Sequence, residues 1–533
     1  MVAQLEPDER KEDFMLLEII LAIIPIAWLI ISMAGLKMAG YKSCGIGLVI
    51  AIVEGVAVYH MTVPEAITGT LEGVVSAVWP ICVIIVGAMF LYNMSLRTGA
   101  MDVIKAMLAS VSNDKRVAAL VIGWGFSNFM EGIAGFGTAV AIPAAMLVAL
   151  GFNPVTACVI CLIGNAASPE FGAIGTPTLS AANTAFPTTI TGAADASVFA
   201  QMLSEPTARL LIPLCVVSPF VIILLCGGTK ALKGVVGITL VSALSFVIPF
   251  YLVATFVGPE LCVVIGSLVC LVCTIVMGRK HTNIPEEYML ESKEEAAASS
   301  DKPQMSMVKA WLPYILVVIF LLGTSKLVPP INQFLGQFKS SFVIYCGEGG
   351  AKVGLSWINT PGILMIIATI IGTAVQGASI SDMGAELGKT FKGYWKAMLT
   401  VIFIISIAKV MGYAGMVMDL ANALSSLLGN AYIAIAPLIG GIGCFVTGSA
   451  TSASVMFATL QQSVAQQLGI NEIWLVAANG AGATAGKMIS PQSIALGVAA
   501  INLPGSDGKI MSKTIGWCVL YLVILCVFCF VGA

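Results

Sequence analysis

The sequence predicts an all-α polytopic membrane protein with about 12 transmembrane helices and two re-entrant hairpins, built as an inverted-topology repeat with paired broken helices. Three observations support this fold class. Of 533 residues, 58% are hydrophobic and only 10% are charged, and the mean hydropathy is +0.98, which is typical of a chain embedded in lipid. Two apolar segments are interrupted by glycine, proline and polar residues. The second half also repeats the spacing of the first.

The first three spans are predicted at residues 14–34, 43–60 and about 67–96. The short loop that follows is rich in positive charge, because four of its residues are basic: Arg97, Lys105, Lys115 and Arg116. Cytoplasmic loops carry an excess of lysine and arginine. The loop is therefore predicted to face the cytoplasm, and the other loops are assigned by alternation.

Residues 117–151 are predicted to form a re-entrant hairpin that enters from the cytoplasm. Two apolar arms flank the glycine-rich segment 131–137. An arm of about 15 residues rises only ~22 Å, which is short of the ~30 Å hydrocarbon core. The next segment, 155–186, is predicted to be a helix that is broken at residues 165–177.

The remaining elements complete two halves joined by a polar linker at 279–309, which is predicted to be cytoplasmic. The first half, 1–278, closes with three further spans at about 210–226, 235–257 and 261–278. The second half is 310–533, and its predicted elements are spans at 310–327 and 361–375, an external amphipathic stretch around Lys339 and Lys352, an outer hairpin at 431–470 and a broken helix at 471–503.

The two halves match at a nearly constant offset. An offset of 316 gives the pairs Trp79/Trp395, Gly99/Gly415, Gly125/Gly441, Phe129/Phe445 and Gly132/Gly448, and an offset of 314 gives Asn165/Asn479, Gly172/Gly486 and Pro177/Pro491. Residues 97–116 carry four lysines or arginines, whereas residues 413–432 carry none. The halves are therefore predicted to have opposite orientations. Inverted repeats whose broken helices meet at the midplane are typical of secondary transporters.

The stretch 477–493 is the strongest candidate for a binding site. It contains glycines, one proline and Lys487 in apolar surroundings. Glycine costs roughly 1 kcal/mol and proline roughly 3 kcal/mol in a helix interior, and backbone unwinds at membrane depth only beside protein or a water-filled cavity. An ionisable residue at that depth is by default a functional hypothesis. The stretch is interpreted as a broken helix that binds an anion.

Lys487 is predicted to bind a substrate carboxylate, and Glu131 is the first and Glu170 the second candidate for a proton carrier. The alternative is that Lys487 pairs with one of these glutamates only to neutralise buried charge. Polar and small residues around the breaks are predicted to complete the substrate site, although the asparagines and hydroxyls also suit helix capping and backbone satisfaction. This set is Asn165, Ser168, Thr176, Thr447, Ser449, Thr451, Ser452, Asn479, Ser490, Gln492, Gly132, Gly135 and Gly486.

Other classes of function are disfavoured by composition. No His/Cys/Asp cluster indicates an enzyme or a metal site, and the 14 cysteines are scattered through apolar segments as small buried hydrophobes. The net charge of −2 argues against a nucleic-acid partner. The expected partners are a small anion and the lipid bilayer, with a homo-oligomer left open and no cofactor beyond a coupling ion. An anion channel is a remote alternative.

Four motifs resemble the lactate permease family: EGIAGFG (131–137), FGAIGTP (171–177), VTGSATSAS (446–454) and GKMISPQSIA (486–495). The resemblance covers nearly the whole chain. It implies a proton symporter that imports L-lactate, and also D-lactate or glycolate, across a bacterial cytoplasmic membrane. It further implies the ion-transporter fold of hairpins and broken helices with elevator-type alternating access, and sodium coupling is the alternative.

Two positions depart from the family pattern. The chain has Ala450 where the family often has aspartate, and Glu170 where it has a small apolar residue. One intramembrane carboxylate is therefore absent and another is present at the two predicted hairpin-and-break centres. Substrate or coupling details are expected to differ accordingly.

Overall fold

The computed structural model describes residues 21–36, 38–135, 137–185, 196–290, 305–348, 350 and 352–533. Within these ranges almost every element is a helix, and the all-α membrane fold predicted from the sequence is confirmed. Nine helices are long and apolar enough to cross a membrane, or ten if the bent pair at 154–184 counts as one span. Three shorter apolar helices lie at Leu21–Met33, Thr138–Ala149 and Pro361–Val375.

Thirteen helices precede the linker. They are α1 (Leu21–Met33), α2 (Gly40–Ala57), α3 (Val63–Ser76), α4 (Val83–Arg97), α5 (Ala100–Ala109), α6 (Lys115–Ala118), α7 (Ser127–Ile133), α8 (Thr138–Ala149), α9 (Pro154–Gly164), α10 (Gly172–Thr184), α11 (Ala196–Gly227), α12 (Val236–Phe256) and α13 (Cys262–Lys280). Wider helical turns at Ala77–Cys82 and Ala119–Phe126 join α3 to α4 and α6 to α7.

Ten helices and one small sheet follow the linker. They are α14 (Met307–Thr324), α15 (Pro329–Gly336), β1 (Lys339–Val343), β2 (Lys352–Ser356), α16 (Pro361–Val375), α17 (Ile380–Ala414), α18 (Met416–Leu428), α19 (Tyr432–Thr447), α20 (Ala450–Leu468), α21 (Glu472–Lys487), α22 (Pro491–Ala500) and α23 (Asp507–Gly532). The hairpin arms are α6–α7 with α8, and α19 with α20. The broken helices are α9 with α10, and α21 with α22.

The stretch between α14 and α16 differs from its prediction. The sequence predicts one amphipathic stretch around Lys339 and Lys352, whereas the structure forms a short helix and an antiparallel β-hairpin in which Lys339 lies opposite Ser356. Alternating burial along β2 explains the amphipathic pattern, because successive strand residues point to opposite faces. The indole of Trp79 donates a hydrogen bond of 2.9 Å to the Ser356 carbonyl, which holds the hairpin against the span α3–α4.

Two 35-residue spans, Val63–Arg97 and Ile380–Ala414, cross at the centre of the helical framework. Glu72 pairs with Lys409 near one end of the crossing, and Asn93 with Thr390 and Arg97 with Asp382 near the other. Since the residue numbers rise along one span as they fall along its partner, the two spans are antiparallel. Gly73 permits the close approach, because a Cβ there would lie 2.7 Å from the Ser406 hydroxyl.

The hairpins and broken helices of the two halves pack against each other. Helix α10 of the first broken helix contacts α20 of the second hairpin, and α8 of the first hairpin contacts α22 of the second broken helix. Within the second half, helices α19 and α21 pack extensively against each other. The four elements thus form one packed unit.

Candidate functional site

The tip of the first hairpin brings Glu131 into the interior. Helix α7 ends at Ile133, and the chain reverses through Gly135 and Gly137, whose φ angles are +59° and +86°. These left-handed conformations favour glycine. Glu131 lies in the last turn of α7 and is only 2% exposed. It is therefore part of a helix end and not of the loop itself.

Lys487 lies in the last turn of α21, and its Nζ is 2.6 Å from Oε1 of Glu131. The side-chain amide of Asn165 donates a 3.0 Å hydrogen bond to the other carboxylate oxygen of Glu131. A lysine at a helix C-terminus is favoured by the helix dipole. The charge of Glu131 is therefore balanced by a cation from the opposite half of the chain, and both of its oxygens have partners.

Glu170 lies in the short 3₁₀ turn between α9 and α10 and is 1% exposed. The Ser454 hydroxyl donates to its Oε2 at 2.7 Å. Gly480 lies directly against it, because a Cβ at that position would come within 2.6 Å of Oε1. Among the described residues no cation forms an ion pair with Glu170. The first break thus contacts the second hairpin through a hydrogen-bonded carboxylate, not through a salt bridge.

The first break winds in an unusual direction. Ala173, Ile174 and Gly175 have φ angles of +43°, +55° and +72°. Left-handed backbone is costly for residues that carry a Cβ, and such strain persists only where the surroundings fix it. Ala173 packs against the hairpin tip, since a Cβ placed on Gly135 would lie 3.2 Å from the Cβ of Ala173. The strained turn and the tip of the first hairpin form a single contact region.

A cavity of about 820 Å³ lies beside the Lys487–Glu131 pair. The N-terminal turns of α20 and α22 border it, with Ser449 and Ser490 as their capping residues. Helix N-termini carry positive partial charge and free N–H groups, and they favour anions. The cavity therefore combines a lysine, helix N-termini and hydroxyl groups, a set suited to binding a small carboxylate.

The structure brings half of the predicted site residues to this cavity. Those that line it are Glu131, Gly135, Thr447, Ser449, Thr451, Ser452, Lys487 and Gln492. Asn165 does not line the cavity but donates a hydrogen bond to Glu131, which does. The Ser168 hydroxyl in turn lies 3.4 Å from the side-chain oxygen of Asn165.

The other predicted residues have packing or capping contacts instead. Thr176 donates to the Ala173 carbonyl at 2.6 Å, and Ser490 accepts from the amide of Ser493. Gly132 packs against Val263, where a Cβ would come within 3.0 Å. None of these three residues lines the cavity, nor do Ser168, Glu170, Asn479 or Gly486.

The break in the second broken helix is shorter than the glycine-rich stretch 477–493. The helix α21 continues to Lys487, and only residues 488–490 are non-helical. The glycines here serve close helix packing: a Cβ at Gly486 would lie 2.8 Å from Gly441 Cα, and one at Gly482 2.8 Å from Pro437 Cα. Asn479 is consequently in mid-helix and caps nothing, and its Oδ1 is buried without a hydrogen-bond partner among the described residues.

Sequence reasoning missed several polar residues of the site. Ser454 lies in one of the quoted motifs, but the direction of its side chain follows only from helix packing. Tyr41, Lys42, Lys396 and Ser493 also border the cavity. Three of them come from helices outside the hairpins and breaks, so no local motif marks them.

Lys409 has an environment that its position in the sequence does not predict. Its position near the end of a span suggests an interfacial anchor, whereas its side chain is 10% exposed and its Nζ is 3.0 Å from Oε1 of Glu72, which is fully buried. The partner comes from α3, more than 300 residues earlier. Only the fold reveals this second buried ion pair.

Comparison with known proteins gives consistent matches. A family model described as L-lactate permease matches residues 18–533. The L-lactate permease of Streptococcus iniae is 41% identical over 86% of this chain and 93% of its own length. The L-lactate permease of Bacillus subtilis (strain 168) is 32% identical over 97% and 96%. Glycolate permease GlcA of Escherichia coli (strain K12) is 30% identical over 94% and 92%.

Among solved structures, the chain is similar to the YdaH transporter of Alcanivorax borkumensis, whose crystal structure is described as having an unusual topology. The TM-score is 0.46 with 14% sequence identity, over 84% of each chain.

Proposed function

Because the chain belongs to the L-lactate permease family, we propose that it is a secondary active transporter that imports L-lactate, and also D-lactate or glycolate, by proton symport. The observation that carries this proposal is the Lys487–Glu131 pair, held at 2.6 Å beside the 820 Å³ cavity. The pair offers a cation for the substrate carboxylate and an ionisable group for the proton in direct contact with each other.

The coupling follows from a change of partner. A carboxylate substrate that enters the cavity competes with Glu131 for Lys487. Once its cation is engaged elsewhere, a carboxylate at this depth is costly to keep charged, and taking up a proton removes the cost. Asn165 remains as a hydrogen-bond partner for the protonated group. Binding of the anion therefore favours binding of one proton, which is the requirement for symport.

The substrate hydroxyl has partners at the same place. Thr447, Ser449, Thr451 and Ser452 of the second hairpin tip line the cavity with Gln492 of α22. Hydroxyl and amide side chains donate and accept hydrogen bonds, which suits a 2-hydroxy acid. A site of this kind selects short hydroxy acids over acids without the hydroxyl, because its polar groups are left unpaired by the latter.

We also propose an inverted repeat with halves at 1–278 and 310–533 and elevator-type movement. The antiparallel crossing of the spans 63–97 and 380–414 supports opposite orientation of the halves. The packed unit of hairpins and broken helices supports movement as a body, since each substrate-binding element contacts another of the same unit. Inverted repeats that rock around a central site are the usual construction of such carriers.

The first experiment tests the proton role of Glu131. Glu131→Gln mimics the protonated state and is expected to exchange labelled for unlabelled lactate at a near-normal rate in proteoliposomes. It is expected to lose accumulation driven by an inward proton gradient, because no group then takes up the proton. Uptake of labelled lactate with pH and sodium gradients imposed separately measures both properties.

Glu54→Gln is the matched control, because Glu54 is also a buried intramembrane glutamate but does not line the cavity. Retained proton-driven accumulation in Glu131→Gln would move the role to Glu170, for which the same two assays apply. Normal accumulation in both variants and in the double variant would leave sodium as the coupling ion. Flux that neither saturates nor supports counterflow would indicate a channel.

A second experiment tests the inverted repeat. Ser110 and Ser426 are related by the offset of 316, and both are exposed at the ends of the helices that precede the hairpins. Single cysteines at these positions are expected to react with an impermeant reagent from opposite sides of the membrane. Cys346 is the one exposed native cysteine among the described residues, so a Cys346→Ser background suffices. Labelling of both from one side would refute the repeat.

A further inference from the structure

The cavity is far larger than one lactate anion needs. Its volume is about 820 Å³. It extends from the buried Lys487–Glu131 pair to exposed residues at the start of α2, in α17 and on α22. The deep pair therefore occupies one end of a passage, and the other end is its mouth.

The mouth carries its own positive charge. Lys42 and Lys396 both line the cavity and both are exposed. Among the described residues neither lysine forms an ion pair, whereas Lys487 is engaged by Glu131. Asp507 is the other acidic residue of the described lining, which leaves the mouth with one net positive charge. An anion in the passage meets these two unpaired cations outside the deep site.

The two lysines belong to one continuous wall. A Cβ at Gly40, in the first turn of α2, would lie 3.2 Å from the Thr400 side chain, so the start of α2 touches α17. The ammonium of Lys396 lies 5.9 Å from the ring centroid of Tyr41 and 5.7 Å from that of Trp395. Cation–π contact of this kind restrains a lysine without neutralising it. The positive N-terminal end of α2 adds to the same field.

We propose that Lys42 and Lys396 form a second anion-binding station at the mouth of the cavity, which holds the substrate carboxylate between Lys487 and the cytosol. This inference rests on the proposed function. Lys42 at the start of α2 and the three lysines in the first half of α17 place the mouth on the cytoplasmic side. The station raises the local concentration of the anion at the mouth, as clefts of one charge sign do.

The test uses the full-length protein in proteoliposomes of neutral lipid, with lactate presented to either face. The double variant Lys42→Gln/Lys396→Gln is expected to raise the KM for lactate at the cytoplasmic face three- to tenfold and to leave the KM at the outer face within twofold. The maximal rate of lactate efflux is expected to rise by the same factor as the cytoplasmic KM. In the absence of a gradient, the ratio of maximal rate to KM must be equal for influx and efflux. High salt is expected to produce the same change in the unaltered protein.

Lys392→Gln is the matched control, since Lys392 is exposed one helical turn before Lys396 and does not line the cavity. Lys396→Arg in the protein that retains Lys42 is expected to leave the cytoplasmic KM for lactate unchanged, because the station requires a positive charge and not a particular hydrogen-bond geometry. A cytoplasmic KM that is unchanged in the double variant overturns the station. An effect that occurs only with anionic lipid also overturns it and assigns the lysines to lipid phosphate. Absence of any saturable lactate flux in the unaltered protein refutes the proposed function instead.

Discussion

Two buried lysine–glutamate pairs join the halves of this protein, and they have nearly the same exposure. Lys487 and Glu131 are 11% and 2% exposed, and Lys409 and Glu72 are 10% and 0% exposed. Their surroundings differ. The Lys487 pair borders the large cavity, whereas neither Lys409 nor Glu72 does. The Tyr413 hydroxyl also lies 2.9 Å from both oxygens of Glu72.

The difference lies in what competes for the lysine. Tyr413 stacks on Tyr345 with ring centroids 3.7 Å apart, so Glu72 is covered by a layered aromatic pair. Lys487 has open volume on one side, and a carboxylate that enters that volume competes with Glu131. Burial alone therefore does not separate a structural pair from an exchangeable one. What separates the two kinds of pair is whether a competing anion can reach the lysine.

The largest expected effect is on protein stability when the Lys409–Glu72 pair, which does not border the cavity, is disrupted. Lys409→Gln leaves Glu72 buried without a cation and is expected to cost about 3–5 kcal/mol. Thermal unfolding in detergent measures the loss, with Lys392→Gln as an exposed control that is expected to change little. A Lys409→Gln protein as stable as the unaltered one, but deficient in lactate binding, would erase the distinction between the pairs.

The next largest effect is on lactate affinity when the Lys487–Glu131 pair, which borders the cavity, is disrupted. Lys487→Gln is expected to weaken lactate binding by about 1.5–3 kcal/mol, the range for a hydrogen bond to a charged group. Its loss of stability is expected to be smaller than that of Lys409→Gln, because Glu131 keeps Asn165 and borders the cavity. Calorimetric titration with lactate and thermal unfolding give the two quantities. Lys487→Arg is expected to restore little, since a planar fork does not replace a compact ammonium.

Unaltered lactate affinity in Lys487→Gln would remove this lysine from the site. It would also reclassify the Lys487–Glu131 pair as structural, like the pair at Lys409.

The smallest effect concerns Glu170, a buried carboxylate that forms no ion pair with a described cation. Ser454→Ala removes the 2.7 Å hydrogen bond to Glu170 and is expected to cost only about 0.5–1.5 kcal/mol, because a protonated glutamate tolerates burial. Thermal unfolding compares it with Ser463→Ala, nine residues further along the same helix. A loss as large as that of Lys409→Gln would show that Glu170 is charged and depends on Ser454.

Glycine, proline and short apolar arms in the sequence mark the segments that form α6–α8, α9–α10, α19–α20 and α21–α22. The sequence also places Glu131 and Lys487 among the candidates for one site, since each is an isolated charge in an apolar segment. Which glutamate the lysine contacts depends on packing between distant helices. The same limit applies to Glu72 and Lys409, whose pairing has no local signal.

The glycines of α21 show a second limit. Gly480, Gly482 and Gly486 fit an unwound segment as well as a helix packed closely on its neighbours, and composition alone does not separate these readings. The structure shows the second, with α19 against one side and Glu170 against another. The sequence does not predict the β-hairpin at 339–356 for a similar reason. Alternation of polar and apolar residues over a few positions also fits an amphipathic stretch without strands.

The Lys487–Glu131 contact also has a consequence for how the protein is made. The two residues are separated by 356 positions, so at about 5–20 residues per second the lysine is synthesised roughly 20–70 s after the glutamate. Throughout that interval the first hairpin lacks the cation that balances it in the finished protein. The hairpin therefore gains this partner only when the residues around Lys487, in the last tenth of the chain, enter the membrane.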